Sequence, residues 1–294
     1  MSASAIPAPL PAPGLRARLG LKGVPWASLL VLGAVLLAAL LGEALSPWDP
    51  NEIDLGASFQ PPAWAAGGDM AHPLGTDNLG RDILGRIVAG AQVAVVVALY
   101  AILLSGTIGA LAGMVAGYAG GWADAAIMRV VEIQNSIPAI ALALILAAAL
   151  EPGLDTVVIV IVLTYWSWYA RIIRGEVLSL KTRDYVAFAR TAGVSTPVIF
   201  RRHLLPNIMN TLLVLATLQV GQVIIFEASL SFLGLGIQQP DVSWGLMLSD
   251  ARQYITNAWW AITMPGLAIM LTCLAANLFG DWLRDRLDPR MRQL

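Results

Sequence analysis

Two glutamines and a glutamate interrupt the apolar stretch at residues 208–235, and they are the first candidates for chemistry. They are Gln219, Gln222 and Glu227. An ionisable residue inside an apolar segment is by default a candidate for function, because moving a charge out of water is costly. Amides and a carboxylate can hydrogen-bond a polar solute along a translocation path, or they can bond one helix to another. The helix–helix role is the favoured interpretation, and the translocation path is the alternative.

No arrangement for covalent or metal chemistry accompanies these residues. The two histidines, His72 and His203, are far apart, and Cys273 is the single cysteine, so neither a disulfide nor a metal site is predicted. The lysines, Lys22 and Lys181, lack the Gly-x-x-x-x-Gly-Lys-Ser/Thr context of a nucleotide-binding loop. The sequence therefore predicts no catalytic residue, and it gives no support to a membrane-embedded protease or lipid transferase.

The composition places these groups in a membrane protein. Hydrophobic residues make up 57% of the 294 residues and charged residues 13%, whereas soluble domains carry about 25% charged residues. The mean hydropathy is +0.71. A soluble fold of this size could not bury so much apolar surface, and a net charge of −1 leaves no electrostatic footprint for nucleic acid. We therefore predict an all-α integral membrane protein.

Six apolar stretches are long enough for transmembrane helices, each of which needs about 20 residues. The first exceeds the ~7–15 residues of a signal-peptide core, so it is predicted to remain as a membrane anchor. The predicted spans are 26–45, 87–118, 125–150, 156–173, 208–235 and 259–283.

The basic residues predict the orientation, because cytoplasmic segments of membrane proteins are enriched in Lys and Arg. If both termini are cytoplasmic, fifteen of the eighteen Lys and Arg lie inside, and only Arg81, Arg86 and Arg252 lie outside. Residues 1–25, with their alternating prolines, are predicted to be a disordered cytoplasmic tail, and residues 286–294 a second cytoplasmic tail.

The segment at residues 46–85 faces outward in this topology, and Arg81 is its one basic residue. Thr76 or Asp77 is predicted to cap a short helix that lies on the membrane surface and runs into the second span. A covering loop is the favoured interpretation of this segment, and direct contact with substrate is the alternative.

Glycines recur at every fourth residue within the second span, at Gly109, Gly113 and Gly117, and Gly121 continues the spacing. Such spacing places small residues on one face of a helix, which lets another backbone approach closely. The pattern predicts close helix packing, either within the subunit or with a partner, and it identifies no function by itself.

The connection between the fourth and fifth spans, residues 171–206, is too long to be a slack loop. A helix is predicted to begin there at Thr182 or Asp184, since both residue types favour helix starts. Gly193 is predicted to end that helix, because glycine readily adopts the left-handed conformation of a helix C-terminus.

A second helix in this loop is predicted to begin at Ser195 or Thr196 and to stop at Pro206, just before the fifth span. The result is a helix–turn–helix that projects from the membrane, with Tyr185 and Phe188 on its first helix. Exposed aromatic side chains are typical of contact surfaces, so a partner protein is the predicted target.

The loop also contains a recognisable run of residues. It consists of Ala187-Phe188-Ala189, Gly193 after three further residues, and His203-Leu204-Leu205-Pro206 after nine more. This run resembles the signature of the permease subunits of ATP-binding-cassette importers, which is Glu-Ala-Ala, three residues, glycine, nine residues and Ile-x-Leu-Pro. Glycine, leucine and proline match in register, whereas Ala187, Phe188 and His203 replace the glutamate, the middle alanine and the isoleucine.

Three further stretches are similar to the dipeptide, oligopeptide and nickel permeases of that family. They are His72-Pro73-Leu74-Gly75-Thr76-Asp77 with Leu79-Gly80-Arg81-Asp82, the run from Glu227 to Gly236, and Asp281-Trp282-Leu283-Arg284-Asp285 with Leu287-Asp288-Pro289. The resemblance covers nearly everything after residue 25, and it is to the C-type subunits of this class.

The resemblance implies the type I importer permease fold. A five-helix core at residues 87–285, with a coupling loop at 174–206, would follow an extra N-terminal helix and external segment at 26–86. It also implies a bacterial inner-membrane location and four kinds of partner: the lipid bilayer, a homologous second permease, two ATPase subunits that bind ATP and Mg²⁺, and an external binding protein. No cofactor is expected on this chain. Di- and oligopeptides are the implied solutes, with nickel chelates, glutathione or another small solute as the alternative.

Within the loop, the resemblance implies that ATP closes the two ATPases and that their movement is passed to the permease through this contact. The residues assigned to the contact are Asp184, Tyr185, Ala187, Phe188, Ala189, Arg190, Gly193, His203, Leu205 and Pro206. An alternative of another class is a secondary transporter driven by an ion gradient. It would need internal inverted repeats and buried proton-carrying carboxylates, and only Glu227 approaches that requirement.

Overall fold

The structure is a computed structural model that describes residues 24–287. The predicted tails at 1–25 and 286–294 lie outside this range, apart from residues 24–25 and 286–287. The described part of the chain is helical and contains no β-strand. Its helices are α1 (Trp26–Leu45), α2 (Ile83–Ala119), α3 (Gly121–Asn135), α4 (Ala139–Ala148), α5 (Leu154–Leu180), α6 (Asp184–Thr191), α7 (Thr196–Ile199), α8 (Leu205–Phe232), α9 (Trp244–Ala251) and α10 (Trp259–Leu287), with a π-helix at Phe200–Leu204.

Four stretches of helix are each long and apolar enough to cross a membrane, namely α2, α5, α10 and the continuous helical run Thr196–Phe232. The pair α3 and α4 makes a fifth crossing if its two parts are counted as one bent span. The shorter apolar helix Trp26–Gly42 lies within α1. With that helix as the sixth, the prediction of an all-α membrane protein with six spans is confirmed.

The third span differs from its prediction as one helix over 125–150. It consists of α3 and α4, whose axes are bent by 89° at the break between them. Pro138 explains the break, because proline cannot donate a backbone hydrogen bond and disfavours helical geometry at the preceding residue, Ile137.

The expectation that Pro206 stops the second loop helix is wrong. The helical backbone runs from α7 through the π-helix into α8, and Pro206 lies in the first turn of α8. The backbone N–H of Leu205 donates to the carbonyl of Phe200, which is the wider hydrogen-bond spacing of a π-helix. This wider turn admits the proline ring, and the missing N–H falls in a first turn where proline is tolerated.

The second span begins at Ile83, so the helix cap predicted at Thr76 or Asp77 is wrong. Asp82 caps the helix instead, and its Oδ1 accepts a hydrogen bond from the backbone N–H of Gly85 at 2.7 Å. The preceding external segment is therefore an irregular covering layer rather than a surface helix.

Buried charges hold this covering layer in place. A charge cluster at the end of α2 away from the loop 174–206 is made of Asp77, Arg81, Arg86 and Asp250, and we call it the outer charge cluster after the predicted orientation. It joins the segment before α2 to the start of α2 and to α9. Arg81 Nε lies 2.7 Å from Asp77 Oδ2, and Arg81 Nη2 lies 3.1 Å from Asp250 Oδ2. The Arg86 side chain is fully buried and lies 3.5 Å from Asp250 Oδ2. The cluster pairs two positive with two negative groups, and its members Arg81 and Asp250 are 169 positions apart in the sequence.

Removal of one negative charge from this cluster should destabilise the protein strongly. Asp77→Asn keeps the shape of the side chain but leaves Arg81 and Arg86 buried with a single carboxylate, Asp250. An uncompensated buried charge typically costs about 3–5 kcal/mol. We therefore expect a lower Tm of the purified protein in detergent.

The matched control is the ion pair between Arg129 and Glu132, which lie 3.3 Å apart with exposed side chains. Glu132→Gln makes the same acid-to-amide change as Asp77→Asn, but in an exposed pair. It should change the Tm little, because exposed ion pairs contribute at most about 1 kcal/mol to the free energy of unfolding. Equal melting temperatures for Asp77→Asn and Glu132→Gln would contradict the structural role of the outer charge cluster.

The glycines of the second span lie against α5. A Cβ atom added at Gly109 would overlap the Trp166 carbonyl oxygen and the Tyr169 Cβ. At Gly113 and Gly117 it would also approach the backbone of α5, whereas Gly121 lies beyond the end of α2 with open space beside it. The glycine face therefore packs α2 against α5 within one subunit.

Candidate functional site

The loop after α5 folds into a compact unit that we call the bracket, made of α6, α7 and the connecting residues 192–195. Val186 and Ala189 of α6 are buried and pack against Ile199 of α7. The same apolar cluster includes side chains of α2, α5 and α8. They are Ala110, Met114, Ile173, Val177 and Ile208. The bracket is therefore seated on the ends of three membrane helices.

The opposite face of α6 is exposed. Phe188 is 73% exposed and Tyr185 is 41% exposed, while Asp184, Ala187 and Arg190 are also open to solvent. A helix of eight residues with buried Val186 and Ala189 has room for one buried stripe, so its remaining side chains must face outward. An exposed phenylalanine beside a tyrosine is an apolar patch suited to a protein contact.

The turn after α6 depends on glycine. Gly193 has φ of +74°, which is the left-handed region that residues with a Cβ rarely adopt. The Gly193 N–H donates to the Arg190 carbonyl at 3.1 Å, and the Val194 N–H donates to the Ala189 carbonyl at 3.0 Å. These bonds end the helix and fix the direction in which the chain enters α7.

Two ring contacts attach the bracket to its neighbours. The rings of Tyr185 and His203 lie 6.0 Å apart between their centroids, which links α6 to the π-helix. The Arg190 guanidinium lies 5.8 Å from the centroid of the Tyr118 ring, at the end of α2. Of the remaining residues assigned to this loop, Leu205 is half-buried and Pro206 is exposed at the start of α8.

The ends of α2, α3 and α5 that lie beside the bracket are also joined by hydrogen bonds. The Arg174 guanidinium donates to both carboxylate oxygens of Asp124, with Nε 2.5 Å from Oδ1 and Nη2 2.6 Å from Oδ2. Lys181 Nζ donates to the Gly117 carbonyl at 2.7 Å. These bonds make the helix ends a rigid base for the bracket.

A second feature is an elongated opening along α8 between α5 and α10, which we call the amide groove. Its first part is a cavity of about 530 Å³ half-way along α8, and its second part is a cavity of about 460 Å³ nearer the bracket. Leu218 lines both parts, so they adjoin. The polar side chains of the first part are Asn135, Thr164, Tyr165, Trp168, Gln219, Gln222 and Asn277, and those of the second are Glu176, Asn207, Asn210, Thr211 and Arg284.

The three polar residues first singled out in the fifth span are therefore separated. Gln219 and Gln222 line the amide groove. Glu227 is fully buried away from it, and its Oε1 accepts a hydrogen bond from Ser231 at 2.7 Å. The geometry brings Asn135 and Asn277 to the groove as well, and neither is among the candidate residues that the sequence indicates. Isolated amides within apolar spans were the available signal.

Neither the bracket nor the amide groove contains a candidate metal site in the part of the chain that the structure describes. Within residues 24–287, no group of three or more His, Cys, Asp or Glu side chains is placed to hold a metal ion. The buried Cys273 thiol lies 3.4 Å from the Gly221 carbonyl, to which it can donate, so it contributes to packing between α8 and α10.

The helical membrane fold and the bracket together define an integral membrane component of a transport system. A family described as "binding-protein-dependent transport system inner membrane component" matches residues 109–293. A second family, described as "N-terminal TM domain of oligopeptide transport permease C", matches residues 24–62.

Individual relatives cover nearly the whole chain. The probable D,D-dipeptide transport system permease protein of Escherichia coli is 41% identical over 92% of this chain and 89% of its own. The di/tripeptide transport system permease protein of Pseudomonas aeruginosa is 40% identical over 90% and 87%, and the nickel transport system permease protein of Escherichia coli is 39% identical over 90% and 93%. The chain belongs to the family of binding-protein-dependent transport system inner membrane components. It is a multi-pass permease subunit of the inner membrane.

A solved structure has the same fold. A chain of the MetNI methionine ABC transporter, in an inward-facing conformation, superposes with a TM-score of 0.56 over 70% of this chain and 98% of its own, at 18% identity. The fold is therefore that of an ABC importer permease, as the sequence resemblance implied.

Proposed function

We propose that this chain is one of two permease subunits of an ATP-driven importer and that, with a homologous permease, it forms the path for di- and oligopeptides delivered by an external binding protein. The observation that carries the proposal is the exposed aromatic face of α6, on a bracket packed against three membrane helices. The sequence has no nucleotide-binding loop of its own. Energy from ATP must therefore arrive through a contact with partner ATPases.

The bracket is suited to pass on that energy. Force applied to Phe188 reaches α6, whose buried Val186 and Ala189 rest on the ends of α2, α5 and α8. A packed two-helix unit moves as a rigid body and does not absorb the displacement. We assign the contact to the exposed side chains Asp184, Tyr185, Ala187, Phe188 and Arg190, and the shape of the bracket to Ala189, Gly193, His203, Leu205 and Pro206.

Peptides are the proposed solutes because two of the relatives described above are named for di- and tripeptides. A nickel chelate, glutathione or another small solute remains the alternative, and one relative is named for nickel. The gradient-driven transporter is not favoured, because Glu227 is fully buried and already hydrogen-bonded to Ser231. ATP and Mg²⁺ would be held by the ATPase partners and not by this chain.

We place both termini in the cytoplasm, since this arrangement leaves fifteen of the eighteen Lys and Arg residues and the bracket on the same side. The outer charge cluster and the external segment then face the binding protein. Residues 26–86 would form the N-terminal helix and its external segment, and residues 87–285 the permease core.

Single cysteines can test the orientation and the contact together. In a Cys273→Ser background, the thiol of Phe188→Cys should be cross-linked to an ATPase subunit when the complex, in its native membrane, is treated with a thiol-reactive bifunctional reagent. It should stay unlabelled by a membrane-impermeant thiol reagent added to intact cells. Trp64→Cys, on an exposed side chain of the external segment, should behave in the opposite way on both measurements.

Labelling of Phe188→Cys from outside would refute the orientation. A cross-link from Trp64→Cys to the ATPase, or none from Phe188→Cys, would refute the bracket as the docking surface.

A further inference from the structure

The first part of the amide groove contains a polar group that the folded chain does not satisfy. Gln219 is 3% exposed, and its Nε2 makes no hydrogen bond. Natural structures pair nearly all buried donors, because an unpaired donor keeps the full cost of losing its water. A buried, unpaired amide that lines a cavity therefore points to a partner that arrives from outside the chain.

The amides around it behave differently. Gln134, next to the cavity, donates to the carbonyls of Leu163 and Thr164 at 2.8 Å, and Ser167 donates to Asn135 Oδ1 at 3.2 Å. These bonds hold the end of α3 against α5, and they use the amide nitrogen of Gln134 and the Oδ1 of Asn135. Among the glutamines and asparagines in the described part of the chain, Gln219 is the one with a buried, unpaired amide nitrogen, and packing between the helices of this chain does not account for it.

The remaining lining is polar but uncharged. Asn135, Gln222 and Asn277 are exposed amides on three different helices, and Trp168 adds an aromatic side chain. No Asp, Glu, Lys or Arg is among the lining residues of this first cavity in the described part of the chain. Charged residues, Glu176 and Arg284, occur only in the second cavity, nearer the bracket.

We propose that Gln219, with Gln222, Asn135 and Asn277, forms a transient binding subsite for the peptide bonds of the solute as it crosses the membrane. The proposal rests on the proposed function and specifies its chemistry. A side-chain amide carries a donor and an acceptor side by side, which is the pattern that a peptide group presents. Such a subsite recognises the backbone that all peptides share, and without charges it leaves their side chains unselected.

The lining also argues against a bare nickel ion as the solute at this position. Imidazole is a ligand that suits nickel, and no histidine is among the lining residues of this first cavity in the described part of the chain. A neutral subsite holds a peptide weakly enough for release, because a single neutral hydrogen bond contributes little net affinity.

The test compares a peptide with its thioamide analogue, because the unpaired Gln219 Nε2 is a donor and bonds the peptide carbonyl oxygen. The complete complex with its binding protein is reconstituted in proteoliposomes, and ATP-driven uptake is measured for dialanine and for the analogue whose peptide carbonyl oxygen is replaced by sulfur, a weaker acceptor. The same binding protein delivers both solutes to every variant, so a change in the uptake ratio reports on the permease alone. Gln219→Leu should lower dialanine uptake about tenfold and reduce the preference for the peptide over the thioamide.

Two further variants keep the test decisive. Gln222→Leu changes an exposed side chain, so it should not affect folding, and it should shift the same ratio in the same direction. Gln238→Leu, on an exposed glutamine outside the groove, should leave the ratio unchanged. An unchanged ratio in both groove variants would overturn the subsite while leaving the importer intact. Absence of dialanine uptake by the unmodified complex, with uptake of another solute, would overturn the peptide assignment itself.

Discussion

Replacement of Gly109 by alanine should destabilise the permease severely, although alanine normally favours a helix. The added Cβ would overlap the Trp166 carbonyl oxygen and the Tyr169 Cβ, and neither is the flexible end of a side chain. The helices α2 and α5 must therefore separate, and overpacking of this kind costs about 1–3 kcal/mol. A fall in the Tm and in the yield of monodisperse protein in detergent would be the measured result.

Gly106→Ala supplies a matched control one helical turn away on the same helix. A Cβ there would meet only ring atoms of Tyr169, at 3.7 Å, which is an ordinary contact. Because alanine has the better helix propensity by about 1 kcal/mol, this variant should be neutral or slightly stabilised. Two variants with indistinguishable melting temperatures would show that the glycine face is not a close contact.

Replacement of Phe188 by aspartate should uncouple the transporter without unfolding it. The side chain is 73% exposed, so the fold loses little, but the patch offered to the ATPase loses its apolar centre and gains a charge. Removal of an aromatic residue at the centre of an interface often weakens the free energy of binding by about 2 kcal/mol or more. That change corresponds to about a thirtyfold loss of affinity. ATP-driven uptake should fall by at least that factor, and the ATPase should be lost on purification.

Trp64→Asp is the matched control, since it makes the same kind of change at an exposed aromatic residue of the external segment. The ATPase should stay bound to this variant. If the Phe188→Asp variant still binds the ATPase and transports normally, the bracket is not the contact that couples ATP to transport. The proposed function would then lose the observation on which it rests.

The sequence predicted the helices and the bracket well, because both depend on local signals. Apolar runs located the spans, although the helix predicted at 156–173 continues to Leu180 and the third span is two bent helices, and Asp184 and Gly193 located the ends of α6. Proline was harder to interpret. Pro138 breaks a span that was expected to be continuous, while Pro206 is carried within a helix, because the neighbouring π-helix adjusts the hydrogen bonding.

The outer charge cluster and the amide groove could not be predicted in the same way. Asp77 and Asp250 carry no local signal that they meet, and the helix α9 that presents Asp250 was not anticipated at all. The groove depends on which faces of α5, α8 and α10 turn towards one another. Only the packed fold distinguishes Gln219, unpaired in a cavity, from Glu227, which is satisfied by Ser231.

The outer charge cluster also sets an order for biosynthesis. Arg81 and Arg86 leave the ribosome early, but Asp250 follows Arg81 by 169 positions. Until α9 is made, Arg81 and Arg86 share the single carboxylate of Asp77, and the ion pairs that join the covering layer to Asp250 cannot form. A nascent chain cut short before α9 would therefore leave Arg81 and Arg86 with one carboxylate of the cluster in place of two.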